Sequence, residues 1–188
     1  MKGFKRSMCL FLAVLFIVLA VTYNDLVAID EEVKELYSMI ETQLQSRADR
    51  IPNMVEIAKG YAGHEEEVFT EIANARSKLN SAIESHDAEA TMEANDELYS
   101  ALSRLLLLKE NYPELKANEL FIGLMDELAE AENCISFARD NYNEKVTTYN
   151  KKVRSFPTSI FAGMAGFQPR DYFEADDGAH VAPSISFG

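Results

Sequence analysis

Beyond residue 24 the apolar side chains recur at alternating three- and four-residue spacing, with polar residues between them. Leu26, Ile29, Val33, Leu36, Ile40 and Leu44 form one stripe, and Met54, Ala58, Tyr61, Val68, Ile72, Ala75, Leu79 and Ala82 form a second. A third segment, Met92 to Leu108, carries "LSRLLLLKE", and a fourth runs Phe121, Leu124, Leu128, Ala131, Ile135, Ala138, Tyr142, Tyr149. That period is the signature of helices with one buried face, and no segment alternates with the period of a strand. Glu65 breaks the second stripe where the spacing wants an apolar residue.

The punctuation sets the expected corners. Pro52 suits the first turn of a second helix, where a missing N–H costs little, which leaves Gly60 and Gly63 inside that helix. Asp87 is a cap for the third helix, and Pro113 opens the fourth. Short connections make neighbours antiparallel. The expectation is an all-α fold: four long helices in an up-down-up-down bundle with an N-terminal transmembrane helix, the first bundle helix being continuous with that segment or just after it. On this topology Arg47, Asp49, Asn53, Asn111, Glu114 and Asn118 collect at the end far from the membrane.

Ahead of the first stripe, "MKGFKRSMCLFLAVLFIVLAVTYN" holds an uncharged run from Ser7 to Asn24, ~27 Å as a helix against a hydrocarbon core of ~30 Å. Lys2, Lys5 and Arg6 precede the run, while Asp25, Asp30, Glu31 and Glu32 follow it. This asymmetry puts the N-terminus in the cytoplasm and the rest of the chain outside, with Tyr23 at the outer interface. A cleaved signal peptide is the alternative, although Val18 and Ala20 make a poor cleavage site.

Charge and cysteine narrow the classes further. The net charge is -13, and the basic residues at the start make the remainder more acidic still, which disfavours nucleic acid as a partner. Cys9 and Cys134 lie too far apart in the pattern to meet, and read as two lone buried thiols.

Candidate chemistry is sparse. A carboxylate-rich bundle invites a di-iron centre, but His64 and His86 follow Tyr61 and Ile83 at the Glu position of a Glu-x-x-His pair. Glu65, Glu66 and Glu67 form an acidic run that either holds a cation weakly or, as the favoured reading, is a solvated face, with Glu65 alone touching the core. His180 sits in a polar tail, no serine or cysteine has a nucleophile setting, and Gly163 and Gly166 build no phosphate loop. The sequence therefore predicts no catalytic residues, metal or cofactor.

Two polar and apolar sets carry the functional expectations. Arg47, Asp49, Asn53, Arg76, Arg104, Glu132, Asn133, Arg139, Asn143 and Asn150 either pair to fix helix register or, in the subset Arg47, Asp49, Asn53, Glu114 and Asn118, form a recognition surface for an envelope protein. Phe156, Ile160, Phe161, Met164 and Phe167 form an apolar segment where the bundle returns toward the membrane. That segment either lies in the interface or folds over the open end of the bundle.

"YNDLV", "SRADRIPNMVEIAKGYAGHEEEVF", "ALSRLLLLKENYPELKANELF" and "ELAEAENCISFARDNYNEKVTTYNKKVRSFP" together resemble the bacterial LemA family over about residues 23 to 157. Tyr37 stands where the family often has tryptophan, and Arg50 where it favours leucine. The resemblance implies one N-terminal membrane helix and a bundle of long antiparallel helices. It implies no catalytic residues, and it connects the chain with envelope maintenance or membrane remodelling. The expected organisation is a cytoplasmic 1–6, a signal anchor 7–24, a bundle 25–155, an apolar segment 156–173 and a disordered tail 174–188. The expected function is a non-enzymatic, membrane-anchored scaffold or adaptor of the cell envelope. The alternative is a membrane-organising protein that acts through homo-oligomers and its apolar segment.

Overall fold

The structure is a computed structural model that describes residues 2–173; the expected disordered tail, 174–188, lies outside the described residues. Among the described residues the chain is all-helical, without a strand, and begins with one long apolar helix. The helices are α1 (Lys2–Ala62), α2 (Glu66–Ser85), α3 (Ala88–Asn111), α4 (Pro113–Lys116), α5 (Glu119–Arg154) and α6 (Thr158–Ala165). The described residues divide into two compact units: 2–38 with Arg139–Tyr172, and Met39–Ala138 with Phe173.

Among the described residues six helices replace the expected four, because the first corner falls elsewhere than the sequence predicted and two short helices, α4 and α6, are added. The apolar N-terminal run and the first stripe are one continuous helix, and Pro52 lies inside it instead of starting a new one. A proline there removes the N–H that would bond the carbonyl four residues back and normally kinks or breaks a helix. Here the orphaned carbonyl belongs to Ala48, and the Arg76 guanidinium on α2 donates to it. The corner comes at Gly63 to Glu65, where the second stripe is broken, so Gly60 is the last glycine in α1 and Gly63 belongs to the turn. Pro113 starts the short α4, and Asn118 then opens α5 by accepting the backbone N–H of Phe121 at 2.9 Å.

Other local expectations hold. Asp87 caps α3, its carboxylate accepting from Ala90 N at 3.1 Å. His86 ends α2 in the left-handed region at φ 52°. The two cysteines are free, but both are exposed, not buried: Cys9 lies in the part of α1 that is exposed on every side, and Cys134 falls beside the buried Ile135 on the outer face of α5.

In the second unit the core is built from Ile40, Leu44, Ile51 and Met54 on α1, Ile72 and Leu79 on α2, Leu98 and Leu105 on α3, and Phe121 and Ile135 on α5. Opposite chain directions of α2 and α3 follow from their ion pairs: Lys78 reaches Glu97 at 2.6 Å, while Arg104 near the end of α3 meets Glu71 near the start of α2. In the first unit Leu26 and Val33 on α1 and Val146, Tyr149 and Val153 on α5 supply the buried apolar positions. Lys145 pairs with Glu32 at 2.5 Å and Lys152 with Asp25, which again makes α5 antiparallel to α1.

Candidate functional site

Arg47 stands on the apolar stripe of α1, one turn from Leu44 and from Ile51, so helical periodicity drives it inward although it is charged. It is 2% exposed. Its guanidinium donates to Glu132 on α5 and to Asn95 on α3, which is itself buried. A buried cation needs such partners, because an unmatched charge in the interior costs several kcal/mol. The three side chains tie three helices at one level and fix their register.

Beside this pair lies a cleft of about 230 Å³ whose apolar walls are Met54, Leu102, Leu106, Met125 and Leu128, with Tyr99, Ser103 and Glu132 completing the lining. It is the size of a large apolar side chain; of its polar groups, Glu132 is engaged by Arg47 and the Ser103 hydroxyl donates to the Tyr99 carbonyl. On the α2–α3 side a wider trough of about 820 Å³ is lined mainly by Glu66, Glu67, Glu71, Glu97, Lys78 and Arg104. Among the described residues no group of three or more His, Cys, Asp or Glu is placed to hold a metal ion. Glu65 instead accepts from the Tyr112 hydroxyl at 3.0 Å, a bond that pushes the phenol pKa of Tyr112 up. His86 Nδ1 lies 3.1 Å from the Glu41 carboxylate.

The residues expected to form a recognition surface do not gather at one end. Arg47 is interior, Asp49 faces Arg76 at 3.5 Å, and Asn53 is exposed on the helix that continues past Pro52. Glu114 is exposed on α4, and Asn118 donates to the Tyr61 hydroxyl at 3.0 Å. Moving the corner from Pro52 to Gly63 carries Tyr61, and not Arg47 to Asn53, to the α4 end. Of the wider polar set, Arg104 pairs with Glu71, while Asn133 is exposed.

In the first unit the apolar segment splits in two. Phe156 and Met164 are each 83% exposed and Ile160 is 54% exposed, whereas Phe161 and Phe167 are half-buried and Ala162 is buried. The Phe167 ring meets Tyr23 edge-on at 5.9 Å, so the chain just past α6 packs against a residue at the end of the apolar run of α1.

After α6 the chain runs back as a strap. Asn150 grips Arg170 at two points, donating to its carbonyl at 2.7 Å and accepting from its N–H at 2.8 Å. Tyr142 donates to the Asp171 carbonyl at 3.2 Å. The Arg170 side chain reaches Asp30 at 2.8 Å, and Lys34 reaches the same carboxylate at 2.9 Å. Burial pushes the Asp30 carboxyl pKa up, but the hydrogen bonds from Lys34 and Arg170 outweigh it and hold it below its ordinary value. Burial also pushes the phenols of Tyr142 and Tyr149 up. Sequence reading missed this network. The available signal was Asp30 itself, a carboxylate between Leu26 and Val33 on the buried face.

The LemA family model matches residues 36–187. Magnetosome protein MamQ 1 of Paramagnetospirillum magneticum is 24% identical over 193 residues, covering 89% of this chain and 71% of that protein. Magnetosome protein MamQ of Magnetospirillum gryphiswaldense shows the same identity and coverage. Protein LemA of Metamycoplasma hominis is 27% identical over 154 residues, covering 82% of this chain and 69% of the relative.

Proposed function

Because the chain belongs to the LemA family, we propose that it is a non-enzymatic, membrane-anchored helical scaffold of the bacterial cell envelope that binds other envelope proteins through its helical part. The observation that carries this reading is the exposure of the apolar run. Phe4, Leu10, Phe11, Phe16 and Val21 are each more than 60% exposed on α1. A contiguous apolar surface of this length is stable in lipid and not in water. In this reading residues 7–24 cross the bilayer uncleaved, residues 1–6 stay in the cytoplasm, and residues 25–155 stand outside it. The lysines and arginine before the run and the carboxylates after it support that orientation.

The buried polar groups support a structural role. Glu132 and Asn95 serve Arg47, Asn150 serves the backbone of Arg170, and none of them is paired with a nucleophile. The cleft lined by Met54, Leu102 and Met125 is the best-shaped place for a side chain of a partner. A photoreactive residue at Tyr99, on the lining of that cleft, tests the adaptor reading in living cells. A discrete crosslink to another envelope protein supports it. Crosslinks to further copies of this chain alone would replace it with the membrane-organising alternative, which the exposed Phe156, Ile160 and Met164 favour. Protease added to spheroplasts tests orientation: survival of an intact helical part would refute an external location.

A further inference from the structure

We propose that α6 and the turn before it form an interfacial foot, with Phe156 from the turn and Ile160 and Met164 from the helix inserted between the headgroups and upper acyl chains of the bilayer that the apolar run of α1 crosses. The inference rests on the membrane-anchored reading and adds a second, peripheral contact to it.

Four observations converge on lipid as the occupant. Ile160 and Met164 stand one turn apart on one face of α6, Phe156 lies in the turn just before it, and all three are exposed. Ala162, on the opposite face, is buried, and α6 contains no charged residue. The segment is fixed at the level where the apolar run ends, since Phe167 packs on Tyr23 and Lys152 in the last turn of α5 pairs with Asp25. An aromatic residue at that position is the usual marker of the membrane–water interface. The face therefore continues the exposed apolar surface of the span.

Charge points the same way. The chain as a whole is strongly acidic, yet the last turn of α5, directly before Phe156, carries Lys151, Lys152 and Arg154. Lys151 and Arg154 are exposed. Cations beside an uncharged apolar face match anionic headgroups above acyl chains. The strap beyond α6 is held by Asn150, Tyr142 and Asp30, so the foot is pinned at both ends.

The chain contains no tryptophan, which makes a single introduced indole a clean depth probe. Full-length Ile160→Trp and Met164→Trp would be reconstituted in vesicles of phosphatidylcholine with anionic phosphatidylglycerol, with and without bromine on the acyl chains, alongside Val14→Trp in the span. Expected is loss of indole emission in brominated lipid at 160 and 164, with protection from aqueous acrylamide. Emission unchanged by bromine and quenched by acrylamide would overturn the proposal, leaving the face in water. Emission unchanged by bromine but protected from acrylamide would also overturn it, in favour of a second copy of the chain as the cover. The Val14 probe separates the two readings: if it too escapes bromine, the anchor itself has failed. Circular dichroism of each variant confirms that the helices persist, and the two foot positions guard against one substitution disturbing the fold.

Discussion

Arg76 on α2 donates from Nε to the carbonyl of Ala48 on α1, 2.8 Å away, and that carbonyl is the one Pro52 deprives of its helical donor. Ala48 is fully buried, so its carbonyl has no water to turn to. An unsatisfied buried acceptor costs ~1–3 kcal/mol. Arg76→Met should destabilise the protein by about that amount. In a Pro52→Ala background, where residue 52 regains an N–H, the same substitution should cost roughly 1 kcal/mol less. A thermal or denaturant double-mutant cycle reads the difference, and equal costs in both backgrounds would show that Arg76 does not serve the proline.

Removing Glu132 takes the carboxylate from Arg47, a buried cation that also bonds the neutral Asn95. Breaking such a pair costs ~3–5 kcal/mol when both groups are buried, and less here because the Glu132 side chain keeps 33% exposure. Glu132→Ala should therefore destabilise by about 2–3 kcal/mol. The double variant Arg47→Met with Glu132→Leu should recover most of that loss. Failure to recover would mean that Arg47 holds the helices by more than its charge.

Asp30 makes stability depend on acidity in a defined direction. Its folded pKa lies below the unfolded value, so the carboxylate stabilises the fold above the ordinary aspartate range, and that contribution is lost as pH falls through the folded value. Asp30→Asn should lower the melting temperature at neutral pH. The gap from wild type should narrow as pH drops below about 4. A gap that stays constant across the acid range would contradict the assignment to Arg170 and Lys34.

Asn118 tests structure against recognition at the α4 end. It caps α5 at Phe121 N and donates to Tyr61. Asn118→Ala should cost about 1 kcal/mol. Asn118→Asp keeps an acceptor at the helix start and should retain most of the stability. If Asn118→Asp abolishes capture of a crosslinked partner while melting stays unchanged, the residue acts in recognition.

Helical class, the caps at Asp87 and the buried stripes were legible because they depend on neighbours within one or two turns. Leu26, Val33, Ile40 and Leu44 are buried as their spacing predicts. Pro52 misled because its local preference is weak against a tertiary donor that lies 28 positions along the chain from Ala48. The better signal for the corner was Glu65, which interrupts the stripe, together with Gly63 and His64 just before it. The same shift explains the candidate surface: once α1 passes through Pro52, Arg47 is mid-helix and buried, and Tyr61 replaces it near Asn118. The strap was illegible because it joins Asp30 to Arg170 and Asn150 to a main chain that has no periodicity of its own. The exposed face of Phe156, Ile160 and Met164 could be anticipated as apolar, but which of the five residues turn outward depended on where Phe167 found Tyr23.

Asn150 offers Arg170 one donor and one acceptor, the same two groups that a residue in a neighbouring β-strand would offer. The side chain thus impersonates a peptide unit, and what it reads is backbone rather than sequence. A saturation library should then be lopsided. Position 150 should reject nearly every replacement, since only an amide presents a donor and an acceptor on two adjacent atoms facing the same way, and glutamine overshoots by a methylene. At position 170 the strap should stay seated with many side chains, and proline, which has no N–H to give, should be the one that peels it away.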